Sequence, residues 1–245
     1  MRWASLLFLI LLGACSAPSP GSTARDACRD VDFEGDQFTI CAARPDRHAI
    51  LLVDRDQNGR PIRGFAPLAA QAGKVAFAMN AGMFDRSGLP IGLYVERGRM
   101  LKRLNRADGP GNFHMKPNGV FYGDRLGWHV VTSDAWAAAP PRARFATQSG
   151  PMLVVDGKVN AAFDADGASR YRRNGVGVAA DGTAWFAISR RPVSFGRFAR
   201  LFRDALKCRQ ALFLDGYVSR LWDPVAGRMD SGPEIGPIVV VLDKR

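Results

Sequence analysis

Apolar residues come in two rhythms along this chain. Short unbroken or alternating runs, bounded by glycine, asparagine or aspartate, predict β-strands, and two stretches with apolar residues every three or four positions predict helices. HAILLVD, from His48 to Asp54, predicts a buried strand; APLAAQAGK predicts a short helix stopped at Gly73; VAFAM predicts a second strand that ends at Asn80. Farther on, TAWFAIS predicts a strand. Ser194 then caps a helix that turns Phe195, Phe198, Leu201, Phe202, Ala205 and Leu206 to one side and Arg197, Arg200, Arg203 and Lys207 to the other. ALFLD returns as a strand and halts at Asp215. Strand–helix–strand units of this length predict right-handed parallel crossovers, with the strands' C-terminal ends on one sheet edge. Between them, GLYVERGRMLKRL, GVFYGDRLGWHVV, GPMLVVDGKVN and GVGVAADGTAWFAIS predict short strands with glycine-bearing turns. The expected fold is α+β: a strand-rich mixed sheet, a few helices and two crossovers, in one domain over residues 28–245.

The polar residues that interrupt these strands form a set. AMNAGMFD carries Asn80, Gly82 and Asp85; NFHMKPNGVF carries Lys116 and Asn118; ATQSGPMLV carries Gln148 and Ser149; YRRNGVGV carries Arg172, Arg173 and Asn174; DGYVS carries Asp215 and Ser219. A polar residue beside glycine at a strand end is, taken singly, turn chemistry. A succession of them at sheet edges, where ligands of open sheets collect, predicts a site.

AMNAGMFD, KPNGVF, QSGPMLVVDGK, RRNGVGV and ALFLDGYVSRL, in that order, resemble the phosphodiester glycosidase family, and most closely a bacterial lipoprotein branch of it. The likeness runs from about Cys28 onward. It departs at Asp215-Gly216-Tyr217-Val218-Ser219, where the family's best-known member has a glycine-rich turn, so Tyr217 reshapes the expected pocket. The resemblance implies hydrolysis of a sugar-1-phosphodiester at the anomeric C–O bond. The leaving group is then a phosphate monoester, so strong general-acid help is dispensable; the reaction needs donors for the phosphate and a carboxylate for water or for the oxocarbenium-like centre. On that chemistry Arg173, with its planar fork, is the phosphate candidate and Lys116 the second. Asp215 is the candidate base or electrostatic stabiliser, with Asp85 behind it. Asn80, Asn118, Gln148 and Ser219 are candidates for sugar hydroxyls or phosphate oxygens, with Gly82, Ser149 and Asn174 in the same motifs. A glycan or sugar phosphate is the expected partner, and a binding protein that does not cut it is the alternative.

Composition narrows the rest. At 245 residues and 47% hydrophobic content the chain can bury its own core. The net charge of +11 would suit an anionic partner or simply a solvated surface. No basic helix interleaved with aromatics, zinc-finger spacing or P-loop is present, so nucleic acid is not an expected partner. The stretch MRWASLLFLILLGAC predicts a signal peptide over residues 1–14 whose Leu12-Gly13-Ala14-Cys15 ending resembles a lipobox, with Cys15 the lipid-bearing residue and residues 15–27 a Ser/Pro-rich tether. Membrane anchoring through Cys15 follows, with the outer membrane facing the periplasm as the expected location in a bacterial envelope. Cys28 and Cys41 flank two alternating strands about Gly35-Asp36 and predict a disulfide, leaving Cys208 as a buried inert thiol. His48, His114 and His129 form no helical pair, so no zinc or iron site is expected and no cofactor is predicted. Carboxylates in loops such as Asp164-Ala165-Asp166-Gly167 are the right ligand type for calcium, although the full EF-hand order is missing and the stretch reads first as a surface turn.

Overall fold

The computed structural model describes residues 26–244. The expected signal peptide, Cys15 and nearly all of the tether lie outside them. Three sheets make up the fold, with strands numbered in chain order. The first, of seven strands, runs β1 (Cys28–Phe33), β2 (Asp36–Ala43), β13 (Ala184–Ser189), β12 (Asn174–Val178), β14 (Gln210–Phe213), β10 (Met152–Val155), β11 (Lys158–Val159). The second runs β16 (Arg228–Met229), β15 (Leu221–Asp223), β4 (Val75–Asn80), β17 (Ile238–Asp243), β3 (His48–Val53). The third runs β6 (Arg99–Lys102), β5 (Tyr94–Glu96), β9 (Phe145–Ser149), β7 (Gly119–Gly123), β8 (Trp128–Thr132). Helices are few: α1 (Ser133–Ala138), α2 (Phe195–Arg200), the nine-residue 3-10 helix Ala66–Lys74, and short turns that include the 3-10 segment Gly216–Val218.

The α+β, strand-rich expectation stands, but the mixed sheet does not. All strand pairs among the described residues are antiparallel. The strands expected to pair directly through crossovers are each separated by another strand. β17 lies between β3 and β4, and β12 between β13 and β14. Hydrophobic patterning marks which residues form strands, but neighbour choice depends on sequence-distant partners that a local pattern does not encode.

The helix expected from Phe195 to Leu206 is α-helical only to Arg200 and widens into a π turn over Leu201–Ala205, where Leu206 N reaches Leu201 O at 3.0 Å. Its cap is as expected: Ser194 Oγ accepts from Arg197 N at 3.2 Å, satisfying one of the donors left open at a helix start. The outward arginines are held by carboxylates, Arg197 by Asp36 at 2.7 Å and Arg200 by Glu34 at 2.6 Å. The predicted disulfide is present, with Cys28 directly opposite Cys41 in the β1–β2 register. Cys208 is free and buried, and loss of water pushes its thiol up to about 12.

One core joins the three sheets. Phe186 of β13 meets Phe77 of β4 edge-on at 5.4 Å and Phe121 of β7 at 5.6 Å, so each sheet contributes one ring to a single cluster. On the other face of the first sheet, α2 lays Phe198 against Phe38 at 6.2 Å, and Phe195 meets Phe213 at 4.8 Å. Each of these rings contributes roughly 2–3 kcal/mol by leaving water.

Candidate active site

Strand ends from the first and second sheets meet where β4, β12 and β14 stop or begin. Asn80, the last residue of β4, donates from Nδ2 to the Asp215 carbonyl at 2.8 Å. Its Oδ1 accepts from Arg220 N at 2.9 Å and from Asn174 Nδ2 at 3.0 Å. Asn174 Nδ2 also reaches the Asn80 carbonyl at 3.1 Å. Ser219 Oγ lies 3.3 Å from Asn174 Oδ1 and donates to the Gly216 carbonyl at 2.9 Å. Main-chain bonds tie the same group together, Asp215 N to Ala81 O at 3.2 Å and Leu214 N to Asn174 O at 3.0 Å. Asn80, Asn174 and Ser219 are buried, so these bonds satisfy groups that would be costly to strand. Their effect is to hold the Asp215 backbone between two sheets.

Asp215 is the chemically unusual member of this group. It is partly exposed and has no ion-pair partner among the described residues. Loss of water around it disfavours the charged form and pushes its carboxyl up to about 6; a hydrogen bond from Tyr217 N opposes this only in part. Immediately beyond, the 3-10 turn Gly216–Val218 holds Tyr217 84% exposed beside the carboxylate's own turn. Gly216 is required there, since a Cβ would lie 2.3 Å from the Phe213 ring.

Gly82 joins this cluster to a second one. Its N–H donates to Thr147 Oγ1 at 3.1 Å, and a Cβ would lie only 2.2 Å from the Gln148 carbonyl. In the second cluster, Gln148 Oε1 accepts from Leu93 N and Asn105 N, both at 2.9 Å. Its Nε2 donates to Asn105 O at 2.6 Å and to Ser133 Oγ at 3.0 Å. Asn118 Nδ2 donates to Phe113 O at 3.0 Å, and Lys116 Nζ to Arg106 O at 3.0 Å, with Asp108 at 3.9 Å. Ser149 Oγ is buried without a hydrogen-bond partner among the described residues. Gln148 and Asn118 thus brace the loop over residues 105–118, which forms a second wall.

Arg173 and Asp85 lie apart from both clusters. The Arg173 guanidinium is 1% exposed, 3.5 Å above the Phe195 ring, and donates to Val193 O and Ser169 O at 2.8 Å each. It has no carboxylate partner among the described residues, and burial lowers it to about 10. Asp85 is exposed and closes its own turn, accepting from Ser87 Oγ at 2.5 Å, Ser87 N at 2.9 Å and Leu89 N at 3.1 Å. The serine hydroxyl first, then these backbone donors, hold its carboxyl below the usual range.

Arginines also gather around Asp230; of these, sequence reasoning named Arg172 and missed Arg220 and Arg228. Arg172 Nη2 reaches Asp230 Oδ2 at 2.9 Å, and Arg228 bonds both Asp230 oxygens at 2.9 and 3.0 Å. Arg220 donates to the Asp230 carbonyl from Nε at 3.0 Å and Nη2 at 2.7 Å. Two guanidiniums bond the Asp230 carboxylate and a third its carbonyl, so three cations meet one anion and leave a net local charge of plus two. Burial raises the Asp230 carboxyl but the arginines, Arg228 foremost, hold it below the ordinary range. Arg220 adjoins Ser219 in sequence, the signal that could have found it; Asp230 and Arg228 carried none. The candidate calcium loop is occupied otherwise, since Asp166 is paired with Arg170 at 2.7 Å and Arg197 at 3.2 Å.

The described residues thus form an antiparallel three-sheet fold in which buried amides and a carboxyl of raised pKa meet at strand ends. The chain belongs to the phosphodiester glycosidase family, whose sequence model matches residues 73–223. It is 41% identical over 152 residues, 61% of this chain, to the uncharacterized protein YigE of Escherichia coli K12, and the match spans 59% of that relative's length. The fold is similar to that of the catalytic domain of zebrafish N-acetylglucosamine-1-phosphodiester alpha-N-acetylglucosaminidase auto-inhibited by its pro-peptide. That match has a TM-score of 0.61 and 13% identity, over 89% of this chain and 82% of that one. It is also similar to a putative exported protein of Burkholderia pseudomallei K96243, with a TM-score of 0.54 and 14% identity over 84% and 74% of the two chains.

Proposed function

We propose that this chain hydrolyses a sugar-1-phosphodiester in an envelope or capsule glycan, with Asp215 as the general base. The observation that carries this reading is the Asp215 carboxyl, pinned by its backbone between sheets and shifted to about 6 without a cationic partner. As a carboxylate it accepts a proton from water while the water oxygen bonds to the anomeric carbon. The C–O bond to phosphate breaks and its electron pair leaves with the phosphate monoester. Arg172 and Arg220 supply the cationic side of the site, and Arg173 acts from the interior through its charge rather than by contact. Asn80, Asn174 and Ser219 position Asp215, while Lys116, Asn118, Gln148 and Ser149 frame the substrate from the loop wall.

The test is turnover of a sugar-1-phosphodiester panel, read as free reducing sugar. Asp215→Asn should lower it at least roughly a hundredfold with substrate affinity preserved. Affinity without reducing sugar in the parent protein would favour instead a glycan-binding protein of the envelope.

We also propose that the mature protein is held by lipid at Cys15 on the periplasmic side of the outer membrane. The Cys28–Cys41 bond supports an oxidising compartment. Cys15→Ala should move the protein out of the membrane fraction in a high-salt wash; unchanged fractionation would refute the anchor.

A further inference from the structure

Away from the active site, two hairpin turns and the segment leading into β9 converge on one face. Gly98 N donates to Arg144 O at 2.7 Å, and Arg144 N to Gly123 O at 2.7 Å, lacing the β5–β6 turn to the end of β7 through the residue just before β9. Two adjoining cavities of about 750 and 680 Å³ open here, sharing Gly98, Arg125, Leu126 and Arg144 in their walls and no residue with the Asp215 cluster. Their floors are apolar, with buried Val95 and Trp136 in one and Ile50, Leu52 and Phe145 in the other.

Two properties of the rim point to its partner. Large apolar side chains stand in water at the turn and strand tips, Leu126 89% exposed, Met100 57% and Leu101 52%. Around them Arg97, Arg125, Arg142 and Arg144 are exposed and have no ion pair among the described residues. The carboxylate lining this face, Asp124, is turned inward onto Leu126 N, Gly127 N and His129. An anionic phospholipid surface offers both missing partners at once: phosphates for the guanidiniums and, just beneath, an acyl boundary for Leu126, Met100 and Leu101. A soluble acidic protein would satisfy the charges but has to match the protruding apolar tips with a fitted pocket.

We propose that this face docks onto an anionic phospholipid bilayer surface, with the tips of the β5–β6 and β7–β8 hairpins in the headgroup layer. The contact is independent of any lipid on Cys15 and of the chemistry at Asp215. It is tested on the full chain carrying Cys15→Ser and Leu126→Cys, labelled with a polarity-sensitive fluorophore. Cys208 is buried and Cys28 and Cys41 are bonded, so the label has one address. On vesicles of phosphatidylglycerol and phosphatidylcholine the emission should shift to the blue and be quenched by lipid-borne quencher. On phosphatidylcholine alone the label should stay in water, even where the apolar N-terminal stretch brings the protein to the vesicle. High salt, or Arg97→Glu with Arg125→Glu and Arg144→Glu, should weaken the response at least roughly tenfold. An equal response on neutral vesicles, a salt-insensitive one, or a label that stays wet on anionic vesicles overturns the proposal. So does displacement of the label's environment by soluble polyglutamate with no response to lipid, which would assign the face to an acidic protein.

Discussion

Asp215 is held where its charge is unwelcome. An ordinary carboxyl titrates at 3.8, whereas this one is pushed to about 6 in the folded protein by loss of water. The folded state therefore binds the proton more tightly than the unfolded chain does, and stability attributable to Asp215 is full below pH 4 and lost as pH rises through 6. At neutral pH the ionised carboxylate costs on the order of 3 kcal/mol at most, less where water screens its exposed side. Asp215→Asn should thus raise the unfolding free energy at pH 7 by about that amount, with the gain vanishing near pH 4, while turnover collapses; chemical denaturation across that range reads it. If the carboxylate is the working form, parent turnover should rise with pH through about 6. A side chain that stabilises the protein when neutralised and disables it at the same time is retained for its chemistry.

At the level of elements, the junction between β4 and β9 is set by Gly82. A methyl group there would collide with the Gln148 carbonyl at 2.2 Å and Thr147 Oγ1 at 2.5 Å, neither of which can swing away, because one is main chain and the other accepts the Gly82 N–H. Gly82→Ala should cost about 1–3 kcal/mol in thermal unfolding and reduce turnover beyond what the stability loss explains, since it parts the two walls of the site. Much of this level was legible in the sequence. The Cys28–Cys41 hairpin shows in alternation about Gly35, and the end of β4 shows in the switch from Met79 to Asn80. What was illegible is which strands adjoin. β12 forms a local hairpin with β13 yet also takes β14 on its other edge, and β17 enters between β3 and β4 through contacts among residues far apart in sequence. The site was legible to the same extent. Asn80, Asn174, Asp215 and Ser219 stand out as polar breaks in apolar runs and do come together. Nothing in its immediate neighbours marks Arg173 as a guanidinium lying on Phe195, or Asp230 as the meeting point of three arginines.

For the whole molecule, the decisive contact is the trio Phe77, Phe121 and Phe186, one ring from each sheet. Because Phe186 touches the other two, Phe186→Ala should cost about 3–5 kcal/mol and lower the melting temperature of the whole protein in one transition. Two resolved transitions in calorimetry would show instead that the sheets unfold as separate units.

The position of β17 also bears on how the fold is reached. β17 pairs residue for residue with β3, Ile238 opposite Val53 and Asp243 opposite His48, while its other edge receives β4. A ribosome delivers β3 and β4 long before β17, so in the growing chain these two strands lie close in sequence with the strand that must separate them still unmade. Native pairing in that sheet therefore waits on the closure of a loop of well over a hundred residues, an entropic barrier that places refolding in the slow, millisecond-to-second regime of β-rich proteins. During that interval β3 and β4 are free to pair with each other in the wrong arrangement, and a chain lacking β17 has no correct arrangement to reach.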